Sequence, residues 1–195
     1  MKIIVLIFIT FLFSRTISQG VRTNKSNELT NFTKECESID WSEYQRRADI
    51  YLSRDKFQNT PITGLILKKC AATLYDSIAV FIPVELALAQ AQWESGMGLK
   101  GRTPKNNPCN LGEYTNKTVL RYKSTTEGMM AYYFLIGKNY LDYGKKSIFD
   151  LFKNNMKNKN GKRYASSDTY GYRIGKQYHF IVKWINNNDT LNQKK

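Results

Sequence analysis

The stretch from Pro83 to Gly98, P-V-E-L-A-L-A-Q-A-Q-W-E-S-G-M-G, constrains the fold more than any other part of the chain. It is a run of strong helix formers entered at a proline and closed by two glycines. It therefore predicts a helix that begins at Pro83, where a missing N–H costs nothing, and stops at Gly96 and Gly98. At helical spacing Val84, Ala87 or Leu88, and Ala91 form one apolar stripe, and Glu94 follows three residues after Ala91 and four after Gln90. Glu94 thus falls at the inner edge of the last turn. There the negative end of the helix dipole and burial beside Trp93 both oppose ionisation, which predicts a carboxylic acid that keeps its proton toward neutral pH. An ordinary carboxylate in a last helical turn fits the same spacing.

The flanking sequence reads as helices around one core. Trp41, Tyr44, Ala48 and Leu52 recur at helical spacing, Asn59-Thr60-Pro61 breaks the pattern, and a second helix follows over about 62–78 with Ile66, Cys70, Leu74 and Ile78 on one stripe. Between Lys100 and Lys123 the Gly, Pro, Asn and Thr content predicts a loop. A small hairpin is expected in it, with Glu113-Tyr114 and Val119-Leu120 as arms about a turn at Asn116-Lys117. Ser124-Thr-Thr-Glu127 is a capping-box pattern opening a helix with Met130, Phe134 and Gly137 on one stripe and Tyr133, Ile136 and Tyr140 on another. A shorter helix over 147–156, a basic loop over 157–163, and a last helix capped by Asp168 complete the pattern. The last helix carries Tyr170, Ile174, Tyr178, Ile181 and Ile185 inward. The fold class expected is mainly α, one core with a small loop and hairpin lobe.

Residues 1–18 have the make-up of an export signal: Lys2, an apolar run from Ile3 to Phe13, and small residues Thr16 and Ser18 ahead of Gln19. The run is short for a membrane span, and an uncleaved anchor is the alternative. The division expected is a signal (1–18), a polar, mobile segment (19–40), a folded domain (41–186) and a polar, frayed tail (187–195). Export implies a secreted or periplasmic protein. It also allows one disulfide among Cys36, Cys70 and Cys109, with one thiol left over. A Cys70–Cys109 bridge would close a loop around the Glu94 helix, worth about 4 kcal/mol in the chain-entropy model. Spacing does not choose the pairing.

The formal charge is +14, from 30 basic and 16 acidic residues. For an exported chain this favours a polyanionic partner: anionic wall polymers, a membrane surface or extracellular nucleic acid. A lysine-rich solvated surface accounts for the same number. No Cys/His cluster has metal-ligand spacing, and the lone histidine, His179, falls in a helical pattern that gives it a structural role.

The pieces V-E-L-A-L-A-Q-A-Q-W-E-S-G-M-G and P-C-N-L-G resemble the A-Q-x-x-x-E-S-G-x-G and Asn/Gly motifs of the peptidoglycan glucosaminidases of glycoside hydrolase family 73. Leu120-Arg121-Tyr122-Lys123-Ser124-Thr125-Thr126-Glu127 and Tyr164-Ala165-Ser166-Ser167-Asp168-Thr169-Tyr170 echo two further motifs in the same order. The four together span about residues 62–185. The resemblance implies a lysozyme-like α fold and cleavage of peptidoglycan glycan strands after N-acetylglucosamine. It implies Glu94 as general acid, Tyr170 near the reacting sugar, Asn110 in the cleft, and Glu113-Tyr114 matching the family's hairpin Glu-Tyr pair. This chain departs from the family in a contracted loop: Glu113 follows Asn110-Leu111-Gly112 directly and the family's aromatic segment is missing.

Glycoside hydrolysis needs a proton donor and a second group that steadies an oxocarbenium-like transition state, a carboxylate or the substrate's own acetamido group. Glu113 is the first choice for the second carboxylate. Glu127 is the lesser one, since a capping box already explains it. Trp93 either supports the helix or flanks a groove, and Tyr170 on a core stripe is also accounted for by packing alone. No cofactor is implied, and nucleic acid is not the partner expected. A lytic transglycosylase or muramidase uses a similar helix-end Glu-Ser-Gly, and a catalytically silent wall- or nucleic-acid-binding module would use only the basic surface.

Overall fold

The computed structural model describes residues 39–192 apart from 101–102, 114–117, 144–145 and 154–155. The signal-like segment, Cys36 and Tyr114 lie outside these residues. The described chain is mainly helical, as expected. Helices α1 (Trp41–Leu52), α2 (Gly64–Ile78) and α3 (Val84–Ser95) precede a two-stranded hairpin of β1 (Gly112–Glu113) and β2 (Thr118–Val119). Helix α4 (Thr125–Ile136) runs directly into a π-helical turn, Gly137–Leu141, and α5 (Ile148–Phe152) and α6 (Tyr170–Asn192) follow. Among the described residues no helix is long and apolar enough to cross a membrane.

Helices α1 and α2 start where the sequence supplies a side-chain acceptor for free backbone N–H groups, whereas α3 starts at Pro83 without one. The Asp40 carboxylate accepts from Ser42 and Glu43 at 2.9 Å, and the Thr63 hydroxyl accepts from Ile66 at 3.2 Å. Tyr44, Ala48 and Leu52 face inward from α1 as their spacing predicts, joined by Tyr51. In α2 the buried stripe is Leu67, Cys70, Ala71 and Leu74, rotated from the expected one so that Ile66 and Ile78 lie only half buried at its edge.

Helix α3 is the axis of the domain, and its burial exceeds what an amphipathic stripe predicts. Val84, Leu86, Ala87, Leu88, Ala89, Gln90 and Ala91 are all at most 2% exposed. A helix with apolar residues all round belongs inside a bundle, and its three alanines let neighbouring helices come close. It packs against α6, α1 and α2. Salt bridges then clasp α1 to its neighbours. Arg46 pairs with Glu43 and with Asp189 of α6, and Arg47 pairs with Glu85 of α3 and hydrogen-bonds to Asn186.

Several sequence expectations are corrected here. The hairpin pairs Gly112 with Val119 and Glu113 with Thr118, so each arm begins one residue earlier than expected. Helix α5 ends at Phe152 rather than Met156, whereas α6 continues to Asn192, past the point where a frayed tail was expected, and Asp189 is held by Arg46. Asp168 does not cap α6; its carboxylate pairs with Arg163. Cys70 and Cys109 are both buried free thiols, not a disulfide. The Cys70 Sγ approaches the Thr126 carbonyl at 3.7 Å, and the Cys109 Sγ approaches the Met129 Sδ at 3.9 Å. Burial in apolar packing raises both thiol pKa values, that of Cys70 to about 12, so neither ionises readily for oxidation.

Candidate active site

Glu94 sits in the last turn of α3, where the helix ends on Gly96. Gly96 has φ +57°, a left-handed conformation that glycine adopts without penalty, and its N–H returns to the Gln92 carbonyl at 3.0 Å. The adjoining Ser95 explains why the next element lies against the acid. Its buried hydroxyl bonds to the Pro108 carbonyl oxygen at 2.5 Å and accepts the Gly98 N–H at 2.7 Å. The chain two residues beyond Pro108 is thereby held beside the helix end.

That chain carries Asn110, itself left-handed at φ +51°, a conformation asparagine tolerates better than most residues. Thr103 donates its hydroxyl to the Asn110 Oδ1 at 3.2 Å, which leaves the amide nitrogen as the end for a carboxylate. Asn110 hydrogen-bonds Glu94. The loop around it is organised by Asn107, fully buried, which donates to the Leu111 and Leu120 carbonyls at 2.8 and 2.9 Å and accepts the Leu111 N–H at 2.8 Å.

Tyr170, in the first turn of α6, supplies the second hydrogen bond to Glu94. Its hydroxyl oxygen accepts from the Gln90 amide at 3.1 Å, and Tyr132 of α4 donates to the other end of that amide at 2.6 Å. Tyr164 also hydrogen-bonds Tyr170, with ring centroids 5.6 Å apart, and Tyr140 stacks edge-on against Tyr164 at 5.3 Å. Tyr140 belongs to the π-helical turn and bonds Asn158. The π turn therefore delivers an aromatic contact to the site, a common place for such turns.

These elements enclose a cleft of about 790 Å³ with Glu94, Trp93, Asn110, Tyr140, Tyr164 and Tyr170 in its lining. The basic loop completes the wall. Lys157 and Arg163 pair through their backbones as an isolated antiparallel β-bridge, and the Asn158 Oδ1 accepts the N–H groups of Asn160 at 2.9 Å and Lys162 at 3.0 Å, a tight turn that brings Lys162 and Arg163 to the lining. Arg163 also bonds Asp168 and the Ser166 carbonyl. Trp93 is 44% exposed, with the Arg173 guanidinium 5.2 Å from its ring centroid.

The electrostatics follow from burial. Glu94 has its pKa raised because desolvation disfavours the carboxylate, and the hydrogen bonds from Tyr170 and Asn110 offset only part of that. The result is an acid that holds its proton more tightly than a free carboxyl does, yet is supplied with two donors for the anion it becomes. Among the residues whose side chains are described, Glu94 is the one carboxylate in the lining.

Of the residues singled out by sequence, Glu94, Asn110, Trp93 and Tyr170 are brought together in this cleft. Glu113 lies on β1 next to Gly112, which lines the cleft, so its backbone is at the rim. Glu127 is elsewhere. It lies beside a separate groove with Met130 and Phe134, where it accepts the Lys123 N–H at 2.8 Å while Ser124 accepts the Glu127 N–H at 3.2 Å. This is capping chemistry displaced by one residue from the expected reciprocal pair. Gln90, Ser95, Asn107, Tyr132 and Tyr164 were not expected at the site. For Ser95 the signal was its place in the Glu-Ser-Gly run, and for Gln90 its presence as an amide amid an apolar helix.

Among the described residues no group of three His, Cys, Asp or Glu side chains is placed to hold a metal ion. No family model, curated protein or solved structure matches the chain.

Proposed function

We propose that this protein is a secreted hydrolase of peptidoglycan glycan strands, an endo-β-N-acetylglucosaminidase on a lysozyme-like scaffold, with Glu94 as the general acid. The observation that carries the reading is a helix-end carboxylic acid in a cleft, its pKa raised by burial and its oxygens met by Tyr170 and Asn110. As the bond between the anomeric carbon and the glycosidic oxygen breaks, its electron pair stays with the oxygen, which takes the Glu94 proton. The carboxylate left behind is stabilised by the Tyr170 and Asn110 donors. Water then adds to the anomeric carbon, and its proton returns to Glu94.

The aromatic wall of Tyr140, Tyr164 and Trp93 suits the apolar faces of sugar rings, and Lys162 and Arg163 in the lining suit a strand that carries carboxylates. Glu113 at the rim is the candidate for the second carboxylate. One observation favours a second reading: Glu94 as the one described carboxylate in the lining fits a lytic transglycosylase or muramidase equally well.

Mass analysis of fragments released from purified peptidoglycan tests both readings, with Glu94→Gln as control. Reducing-end N-acetylglucosamine is the expected product. Reducing-end N-acetylmuramic acid or a 1,6-anhydro sugar would select the second reading. Absence of any Glu94-dependent product leaves a wall-binding module using the basic surface.

A further inference from the structure

Gln90 is a polar side chain with no solvent exposure in the middle of an otherwise apolar helix, and both ends of its amide are engaged. Tyr132, equally buried, donates its hydroxyl proton to the amide oxygen at 2.6 Å, and the amide nitrogen reaches the Tyr170 hydroxyl oxygen at 3.1 Å. Two such groups in a core are costly to bury unless paired, so their pairing fixes them. Because Tyr132 occupies the oxygen end, the nitrogen end must face Tyr170. An amide nitrogen only donates, so the Tyr170 oxygen is the acceptor there and its own proton is left for another partner. Two are in reach, Glu94 and Tyr164. An ionised carboxylate is the stronger acceptor.

We propose that Gln90 and Tyr132 are positioning residues for the acid: Tyr132 orients the Gln90 amide, and the oriented amide keeps the single proton of Tyr170 directed at Glu94 through the loss of the Glu94 proton. The inference deepens the hydrolase reading and rests on Glu94 being the donor in it. Neither residue touches substrate. Each acts through Tyr170, by ensuring that the donor is aimed at the carboxylate before charge develops there.

Other ionisable groups coupled to Glu94 are Tyr164, Tyr170, Tyr132 and the Cys109 thiol, with Lys162 and Arg163 in the same lining. The four neutral groups have pKa values raised by burial, which moves them further from the range in which a carboxyl titrates and leaves Glu94 as the group among these five that does so.

The test compares Tyr132→Phe, Tyr170→Phe and the double variant, by carbon NMR titration of the Glu94 carboxyl and by the pH profile of wall hydrolysis. Without Tyr132 the amide is free to turn its oxygen to Tyr170 and take that proton. The Glu94 titration and the alkaline limb of activity are then both expected to move up by about 1 pH unit, with a loss of roughly tenfold in rate at the optimum. The double variant is expected to match Tyr170→Phe alone, since Tyr132 acts only through it. Gln90→Glu, which replaces the donating nitrogen by an oxygen at equal volume, is expected to move the titration the same way and serves if Tyr132→Phe melts far below the parent. An unmoved Glu94 titration in folded variants, or additive shifts in the double variant, would overturn the relay. A parent without wall hydrolysis would sink the hydrolase reading alone, because the NMR titration still decides the relay.

Discussion

The Ser95 hydroxyl reaches across 13 residues of sequence to the carbonyl oxygen of Pro108, at 2.5 Å, and so joins the end of the acid-bearing helix to the loop that carries Asn110. The same oxygen accepts the Gly98 N–H. Removing it leaves a buried carbonyl and a buried N–H without partners at once. Ser95→Ala is therefore expected to destabilise the fold by about 1–3 kcal/mol and to weaken hydrolysis beyond what the lost stability explains, because Asn110 is no longer held on Glu94. Chemical denaturation beside turnover on purified walls measures both. An unaltered turnover at temperatures where the variant is fully folded would show that the loop is held by other means.

The two other candidate glutamates, Glu113 and Glu127, are expected to separate cleanly. Glu127 bonds the Lys123 N–H at a helix start, so Glu127→Ala should cost about 0.5–2 kcal/mol as a lost cap while kcat on wall fragments stays near the parent's. Glu113→Gln should do the opposite and lower turnover with little change in melting. If Glu127→Ala abolishes turnover in folded protein, the second carboxylate has been misassigned.

Much of the scaffold was legible because helices announce themselves by period and by punctuation. The inward faces of α1 and α6, the Ser124 cap and the stop at Gly96 all follow from local rules that act within one or two turns. The all-round burial of α3 was less visible, since its alanines read as helix formers before they read as contact surface. Around Glu94, legibility ended with the residues whose roles come from distant partners. Gln90 meets Tyr132 across 42 residues and Tyr170 across 80, and no periodicity encodes such pairs. The free state of Cys70 and Cys109 was hidden for the same reason. Each thiol found a neighbour on α4, and the spacing that would let them form a loop does not say that they do.

The basic turn makes a prediction about substrate capture. Lys157, Lys159 and Lys162 lie within six residues of one another on the turn ordered by Asn158, and Lys162 lines the cleft. Replacing all three with Ser is expected to weaken binding to anionic wall fragments several-fold at low salt and to flatten the loss of binding as salt rises, with little change for neutral chitin fragments. Sedimentation with insoluble walls over a salt series provides the comparison. An unchanged salt response would move the anionic contacts to another face.

The last prediction concerns Glu94 itself and needs no substrate. Burial raises its pKa in the folded protein above the ordinary value of 4.5. Below that ordinary value the carboxyl is protonated whether folded or unfolded, and pH has no leverage through it. As pH climbs past it, the unfolded chain releases the proton while the folded protein retains it. The unfolded state then binds fewer protons, so folding stability falls with rising pH until the folded group also ionises, and the deficit stays constant above that point. Gln has nearly the same volume and does not titrate. The melting temperature of Glu94→Gln relative to the parent should therefore be lowest in acid, climb through the mildly acidic range, and level off at a positive difference near neutrality. Removal of a negative charge from the helix C-terminus adds to the gain at neutral pH. Paired thermal melts from pH 3.5 to about pH 8 give the curve, the range being set by the ordinary carboxyl value and the upward direction of the shift. A difference that stays flat across that range, or that favours the parent at neutral pH, would mean that the folded protein does not hold the Glu94 proton more tightly than water does, and the case for a general acid at the end of α3 would fall with it.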